Sequence, residues 1–211
     1  MSFIAIAGNI GVGKSALTER LAEQLGWAAA LEPTSENPYL PDFYSDMNRW
    51  SFHSQVFLLA HRLRQHVAFA RDGNLLIQDR SVYENAEIFA RNLYLRGLMN
   101  ERDWQTYRML YETSIALVPT PTLIIYLQAS VPTLMERIRG RGRSFEQNID
   151  QNYLADLNRL YDEWAATTTV APVLRISTDG INFVADAPAI ESVAKQVISL
   201  LPAQQLPIYT H

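Results

Sequence analysis

IAGNIGVGKSALTERL, residues 6–21, is the most informative segment of the chain because it contains the pattern G-x-x-x-x-G-K-S. The pattern follows a short apolar run and precedes an amphipathic segment, which is the strand–loop–helix context that a phosphate-binding loop requires. Its glycines let successive backbone N–H groups point at phosphate oxygens, and the helix N-terminus adds positive partial charge. We expect Lys14 to reach the β- and γ-phosphates of a nucleoside triphosphate and Ser15 to reach its magnesium ion. The predicted phosphate-binding residues are consecutive: Gly8, Asn9, Ile10, Gly11, Val12, Gly13, Lys14 and Ser15.

The composition is that of one globular domain. The chain has 211 residues, 48% of them hydrophobic, a net charge of -4 and no cysteine. It is long enough for a single domain with a sizeable core, and its charge gives no support to nucleic-acid binding. The absence of cysteine excludes disulfides, thiolate catalysis and cysteine-bound zinc. Because the N-terminus lacks signal-peptide features and no window reaches membrane-span length, we expect a cytoplasmic protein with no membrane or nucleic-acid partner.

Five short apolar runs predict buried β-strands. They are nearly continuous in apolar residues rather than alternating, which is typical of strands covered on both faces. The runs are Phe3–Ala7, Ala28–Leu31, Leu75–Gln78, Leu123–Leu127 and Val173–Ile176. Helical segments separate them. One is long, WSFHSQVFLLAHRLRQHVAFARDG, and two others form a predicted helical pair, SVYENAEIFARNLYLRG and ERDWQTYRMLYETSIALV. Alternation of this kind predicts an α/β fold with a five-stranded parallel sheet flanked by helices.

Charged residues follow the predicted strands, at the sheet edge where ligands of such folds bind. Glu32 ends the second run and is placed to accept a proton from an acceptor hydroxyl, although a helix cap or surface ion pair explains it equally well. Asp79 and Arg80 end the third run, where phosphate-loop enzymes place a carboxylate of the magnesium shell. A capping role for Asp79 is compatible with that function.

An arginine-rich segment, RIRGRGRSFE, follows the fourth strand by one helix. Arginine suits bidentate phosphate contacts, and the two glycines allow such a segment to open and close, so we predict a lid over about residues 137–147. A nucleic-acid patch and a solvated basic face are the competing interpretations. The fifth strand leads into TDGINF, where Asp179 is a further predicted ATP-binding residue.

Taken together, these segments resemble the deoxynucleoside kinases, a phosphate-loop family that acts on deoxycytidine, deoxyguanosine and deoxyadenosine. The matching pieces, in order from residue 8 to about 164, are GNIGVGKS, EP, RWSFHSQVF, DRSVYENAEIFARNLY and RIRGRGRSFEQ. The DRS form, where animal enzymes have ERS, and the segment ENPYL are similar to the bacterial branch. The resemblance implies one kinase domain over residues 1–211, ATP with Mg²⁺, a small deoxynucleoside acceptor and a homodimer.

The resemblance also implies catalytic roles. Glu32 matches the general base for the 5′-hydroxyl, and Arg80 matches the arginine beside it; with Lys14 they are the predicted catalytic residues. Ser15 and Asp79 match the magnesium-shell residues. The lid arginines expected around the donor phosphates are Arg137, Arg141 and Arg143.

The acceptor site is implied in the same way. Gln55 matches the glutamine that reads the base edge, and Phe89 matches the aromatic residue that stacks on the base. Tyr44 and Glu146 match the pair that holds the sugar 3′-hydroxyl. Without the resemblance, Phe89 and Tyr44 are equally well explained as packing residues.

Two positions depart from the family pattern. Arg62, seven residues after Gln55 and on the same helix face, matches an arginine that works with an aspartate in relatives, but the aspartate position holds Asn85. An asparagine offers both a donor and an acceptor, which is compatible with an adenine edge. The similarity to the bacterial branch leads us to predict a purine deoxynucleoside, with a pyrimidine or broad specificity as the alternative. Phe145 stands where relatives often have a second acid before Glu146, and the sequence assigns it no function.

Two other functions share the phosphate loop. A thymidylate-type nucleoside monophosphate kinase has a similar fold and an arginine lid, but RWSF…Q and EP favour a nucleoside acceptor. A nucleotide-dependent switch is the non-enzymatic alternative. The sequence contains no N-K-x-D segment, the guanine-specific pattern that would favour it.

Overall fold

The computed structural model describes residues 3–31, 37–72, 75–146 and 149–201. Its strands are β1 (Phe3–Gly8), β2 (Ala28–Ala30), β3 (Leu76–Asp79), β4 (Leu123–Gln128) and β5 (Val173–Ser177). Its α-helices are α1 (Lys14–Leu25), α2 (Leu40–Ser45), α3 (Met47–Asp72), α4 (Val82–Glu84), α5 (Arg91–Leu95), α6 (Glu101–Ile115), α7 (Val131–Arg141), α8 (Gln151–Thr167) and α9 (Ala187–Leu200). A π-helical segment, Asn85–Ala90, joins α4 to α5, and a 3₁₀ turn, Ser144–Glu146, follows α7.

The five strands form one parallel sheet in the order β2-β3-β1-β4-β5. All five predicted strands are confirmed, with ends that shift by at most one residue. β1 lies at the centre, and all six of its residues are buried, as its continuous apolar sequence predicts. The chain places β2 and β3 on one side of β1, and then crosses over to place β4 and β5 on the other side. This switch opens a crevice beyond the carboxyl end of β1, directly at the glycine-rich loop.

The helices follow the predicted segments closely. α1 ends at Gly26, whose left-handed φ of 67° lets its N–H bond the last turn of the helix. Ser130 caps α7, and its side chain accepts a hydrogen bond from the N–H of Thr133. The long predicted helix is α3, although Gly73, where we expected it to end, lies outside the described residues.

The segment predicted as one helix at SVYENAEIFARNLYLRG is divided by the π-helical turns of residues 85–90. A π-helical segment carries an extra residue per turn and is frequent at functional sites, and periodicity alone gives no sign of it. Within the described ranges, none of the helices combines the length and apolar character needed to span a membrane.

Candidate active site

The glycine-rich loop adopts a conformation that only glycine accommodates easily. Gly8, Gly11 and Gly13 have φ values of 146°, 81° and 104°. A Cβ atom on Gly8 would lie 2.7 Å from the carbonyl oxygen of Leu127, and one on Gly11 would lie 2.9 Å from the side chain of Ile138. The loop therefore packs tightly against β4 and α7, and α1 begins at its end with its N-terminal N–H groups available to an anion.

Asn9 fixes the loop to α8. Its Nδ2 donates to the carbonyl oxygen of Leu154 at 2.9 Å and to Oδ1 of Asn158 at 2.8 Å, while its own Oδ1 accepts from the N–H of Ile10 at 2.7 Å. Lys14 is 7% exposed, and its Nζ donates to the Asn9 carbonyl at 2.9 Å. The loop is thus held in shape by contacts far from it in sequence.

Ser15 and Asp79, the predicted magnesium residues, lie in direct contact. Ser15 Oγ donates to Asp79 Oδ2 at 2.5 Å. The second carboxylate oxygen, Oδ1, is buried and has no hydrogen-bond partner among the described residues. A hydroxyl and a carboxylate with a free oxygen are the ligand types that Mg²⁺ prefers, so this pair fits the ion.

Arg80 stands directly after β3 in a strained conformation. Its φ is 65°, and it is the one non-glycine residue with positive φ in the described ranges. Such a backbone costs about 1–3 kcal/mol and persists where the surroundings hold it. Its N–H donates to the carbonyl of Ile6 at 3.0 Å, and its guanidinium lies 4.1 Å from the ring centre of Phe89. The guanidinium of Arg80 therefore lies over the ring of Phe89, the residue predicted to stack on the base.

Glu84 is a buried carboxyl group behind the phosphate loop that the sequence interpretation did not identify. Its Oε1 accepts from the Gly8 N–H at 3.2 Å and from the Tyr161 hydroxyl at 2.7 Å, and its Oε2 accepts from the Ser81 N–H at 2.9 Å. Arg80 Nε lies 4.0 Å from Oε1. Burial raises the pKa of Glu84, and the charges of Arg80 and Lys14 oppose that shift. Glu84 therefore joins the phosphate loop, the turn after β3 and α8.

A local signal for Glu84 exists in the sequence. S-x-x-E at Ser81–Glu84 is a capping box, and the structure forms the hydrogen bond of this motif in which the Glu84 carboxylate accepts from the Ser81 N–H. The capping box predicts a helix start, but its link to Gly8 depends on the packing of three distant elements.

Replacing Tyr161 by Phe is expected to lower the free energy of unfolding by about 1–3 kcal/mol, because it removes one donor from a fully buried carboxyl group and keeps the ring packing. Chemical denaturation monitored by circular dichroism measures the change. Tyr94→Phe is the matched control, since Tyr94 makes the same type of bond to Glu101 at an exposed position. Equal effects of the two substitutions would contradict the role assigned to the Glu84 cluster.

One cavity of about 710 Å³ brings most predicted site residues together. Its walls include the loop from Ile10 to Ser15, the pair Asp79 and Arg80, and the predicted acceptor residues. The acceptor residues on its walls are Tyr44, Gln55, Phe89 and Glu146. Gln55 is 3% exposed, and its Oε1 has no hydrogen-bond partner in the described part of the chain. Glu32, the predicted base, lies outside the described residues.

Arg62 and Asn85 are not among the residues that line the cavity. Arg62 is 1% exposed, and its Nη1 donates to Gln65 Oε1 at 3.2 Å. Asn85 is also 1% exposed, and neither polar atom of its side chain finds a hydrogen-bond partner within the described ranges. Both side chains are almost fully buried, and their roles in substrate binding stay predictions.

The three arginines of the predicted lid all donate hydrogen bonds to other groups of the protein. Arg137 donates to the Val12 carbonyl at 3.1 Å, to both oxygens of Thr178 and to the Ile181 carbonyl at 2.9 Å. Four of its five N–H groups are used, so it joins the phosphate loop to the segment after β5. Arg141 and Arg143 instead contact the carboxylate of Glu146.

Asp179 lies on the cavity wall at the end of the segment that Arg137 holds. Its carboxylate accepts from the N–H of Ser130 at 2.8 Å. That hydrogen bond, with others from Thr133 and Ser130, lowers the pKa of Asp179. The residue therefore caps the start of α7 as well as facing the cavity.

Comparison with known proteins gives consistent matches. Residues 4–202 match the family model described as deoxynucleoside kinase. The chain is 35% identical to the deoxyadenosine/deoxycytidine kinase of Bacillus subtilis, over 97% of this chain and 95% of that protein. It is 33% identical to the deoxyguanosine kinase of the same organism, over 94% and 97% of the two chains. Deoxyadenosine kinase from M. mycoides, solved with the products dCMP and dCDP, superposes with a TM-score of 0.82 at 29% identity, covering 93% of this chain and 99% of that one.

Proposed function

This chain belongs to the deoxynucleoside kinase family, and from that premise we propose that it transfers the γ-phosphoryl group of ATP to the 5′-hydroxyl of a purine deoxynucleoside. One observation carries the proposal. The phosphate loop and the Ser15–Asp79 pair share a single cavity with a separate polar and aromatic wall formed by Gln55 and Phe89. A cavity with two chemically different ends suits the simultaneous binding of a phosphate donor and a nucleoside acceptor.

Catalysis in this proposal depends on positioning and charge. Lys14 and the loop amides hold the donor phosphates, and Arg80 stabilises negative charge on the transferred group. Glu32 accepts the proton of the 5′-hydroxyl as that oxygen attacks phosphorus and the bond from phosphorus to the ADP oxygen breaks. The topology supports this role for Glu32, because Ala30 pairs with Gln78 and the chain leaves β2 beside Asp79 and Arg80.

Ser15 and Asp79 would hold the magnesium ion of MgATP. Asp79 Oδ1, which has no hydrogen-bond partner among the described residues, and the Ser15 hydroxyl would be its protein ligands or the acceptors of its bound waters. When bound, the ion neutralises charge on the β- and γ-phosphates.

The base preference rests on Gln55, which lines the cavity and whose carbonyl oxygen has no hydrogen-bond partner in the part of the chain that the structure describes. That oxygen can accept from an exocyclic amino group while the amide nitrogen donates to a ring nitrogen, a pairing that suits adenine. Several relatives are named deoxyadenosine or deoxyguanosine kinases. Deoxycytidine is the second candidate acceptor, because one relative is named a deoxyadenosine/deoxycytidine kinase and a solved neighbour holds dCMP.

A panel of the four natural deoxynucleosides with ATP as donor tests the proposal. We expect a purine deoxynucleoside to give the highest kcat/KM, and deoxyadenosine to be a better acceptor than its 5′-monophosphate. Higher kcat/KM for the monophosphate would instead support a thymidylate-type kinase. The highest value with deoxycytidine would overturn the purine preference alone.

We also propose a homodimer. α6 exposes Met109 and Leu110, and Leu117, which follows it, is 82% exposed. α3, which packs against α6, exposes Val67. A self-association surface would bury these apolar side chains. Sedimentation should give twice the chain mass of 24.0 kDa, and a monomer mass at micromolar concentration would contradict the proposal.

A further inference from the structure

Phe145, in the predicted lid, contacts Tyr44, a residue of the cavity wall. Its ring stacks on that of Tyr44, with centroids 5.7 Å apart and an interplanar angle of 24°. Tyr44 belongs to α2, and its other ring neighbour is Phe43, which lies edge-on at 5.2 Å. The 3₁₀ turn that carries Phe145 packs on α2 as a whole. The stack therefore joins two elements that are 100 residues apart in the chain.

The neighbour of Phe145, Glu146, faces the same cavity as Tyr44. Glu146 is 4% exposed, and both residues line the cavity wall. Burial, with the nearby Tyr153 and the carboxylate of Glu146, raises the pKa of Tyr44. Tyr44 thus keeps its hydroxyl proton across the physiological range and presents a donor beside a carboxylate acceptor.

Within the described ranges, the ion pairs to Glu146 are internal to the turn and do not reach α2. Arg141 and Arg143 both bind Glu146, and all three residues belong to the same short stretch of chain. The backbone bond from the Glu146 N–H to the Arg143 carbonyl, at 3.1 Å, is also internal to that stretch. These contacts shape the turn itself. Among the described residues, the ring contact that joins the turn to α2 is the one between Phe145 and Tyr44.

We propose that Phe145 is a positioning residue for the acceptor. Its stack holds the Tyr44 hydroxyl and the Glu146 carboxylate at a fixed separation, so that both reach the 3′-hydroxyl of one deoxyribose. This inference rests on the proposed function and on the predicted binding of that hydroxyl by Tyr44 and Glu146. The aromatic ring supplies rigid contact area and adds no second negative charge beside Glu146.

The test measures selectivity for the 3′-hydroxyl. Dissociation constants for 2′-deoxyadenosine and 2′,3′-dideoxyadenosine are determined by calorimetry for the wild type, Phe145→Ala and Phe145→Tyr. Wild type should bind the deoxynucleoside more tightly. Phe145→Ala should reduce that preference about three- to tenfold, the range expected when a stacked aromatic pair is lost, by weakening binding of the deoxynucleoside alone. Phe145→Tyr, which keeps the stack, should retain the preference within twofold.

A general structural effect gives a different pattern. Phe57→Ala is the matched control, because Phe57 also contacts a tyrosine ring, that of Tyr39 at 6.2 Å, but Tyr39, unlike Tyr44, is not among the residues that line the cavity. Its effect should be the same for both ligands. If Phe145→Ala weakens both ligands equally, or if wild type does not distinguish them, the inference is wrong. The proposed function would then still stand on turnover of deoxynucleosides in the acceptor panel, whose failure is a separate result.

Discussion

Replacing Glu32 by Gln is expected to lower kcat by about 10²- to 10⁴-fold, the range that a positioned general base contributes. The amide has nearly the same shape as the carboxylate but cannot accept the proton of the attacking hydroxyl. Acceptor binding should therefore change much less than turnover. Steady-state kinetics with ATP and the best deoxynucleoside of the panel measure both quantities.

Glu36→Gln is the matched control for this substitution, because it changes the same functional group four residues further along the chain. It should leave kcat within a few-fold of the wild-type value. Near-normal turnover in the Glu32 variant would show that another group takes the proton. A loss of equal size in both variants would indicate that the segment as a whole is disturbed and would remove the case for a base at Glu32.

Replacing Lys14 by Met is expected to lower kcat/KM for ATP by about 10²- to 10³-fold, as removal of one preorganised charge-stabilising group does. Lys14 is almost fully buried at the start of α1, and Asn9 holds its ammonium over the loop. Methionine keeps the length of the side chain and its packing but removes the charge that compensates the phosphates. The variant should therefore stay folded while losing most transfer activity.

Lys195→Met provides the comparison, since Lys195 is the other lysine in the sequence. Its side chain is 73% exposed on α9, where it pairs with Glu191 at 2.7 Å. An exposed ion pair of this kind contributes little to stability. Neither Lys195 nor Glu191 lines the cavity, so kcat/KM should be unchanged. Full activity in the Lys14 variant would exclude the proposed phosphate-binding role.

The strands and the phosphate loop were predictable because their signals are local. A buried parallel strand appears as a continuous apolar run, and the glycines at 8 and 13 with Lys14 identify a loop whose conformation depends on residues within it. Ligands of parallel α/β folds bind at the carboxyl ends of the strands, and this rule predicted that Asp79 and Arg80 would lie at the site. Both residues line the cavity. The Ser15–Asp79 contact follows from these two local predictions together.

Other features depend on contacts that a single sequence does not contain. Arg80 has a positive φ and contacts Phe89 and Glu84, although nothing in DRS indicates a left-handed residue. Arg137 was predicted at the donor phosphates, and that role stays a prediction, but its N–H groups are directed to carbonyls that only the folded chain brings near. Arg62 and Asn85 were grouped with the base site through resemblance; both are almost fully buried, and that grouping stays a prediction.

The attachment of Asn9 to α8 has a consequence for engineering. The side chain reaches Leu154 and Asn158, about 145 residues downstream, and Gly8 donates to a carboxyl group that Tyr161 of the same helix also holds. The conformation of the phosphate loop therefore also depends on α8 and is not encoded by the loop alone. Grafting residues 8–15 into another scaffold would transfer the sequence of the motif without α8, the helix that holds the loop in its conformation. A chimera that exchanges the loop together with α8 would preserve both the sequence and the conformation of the loop.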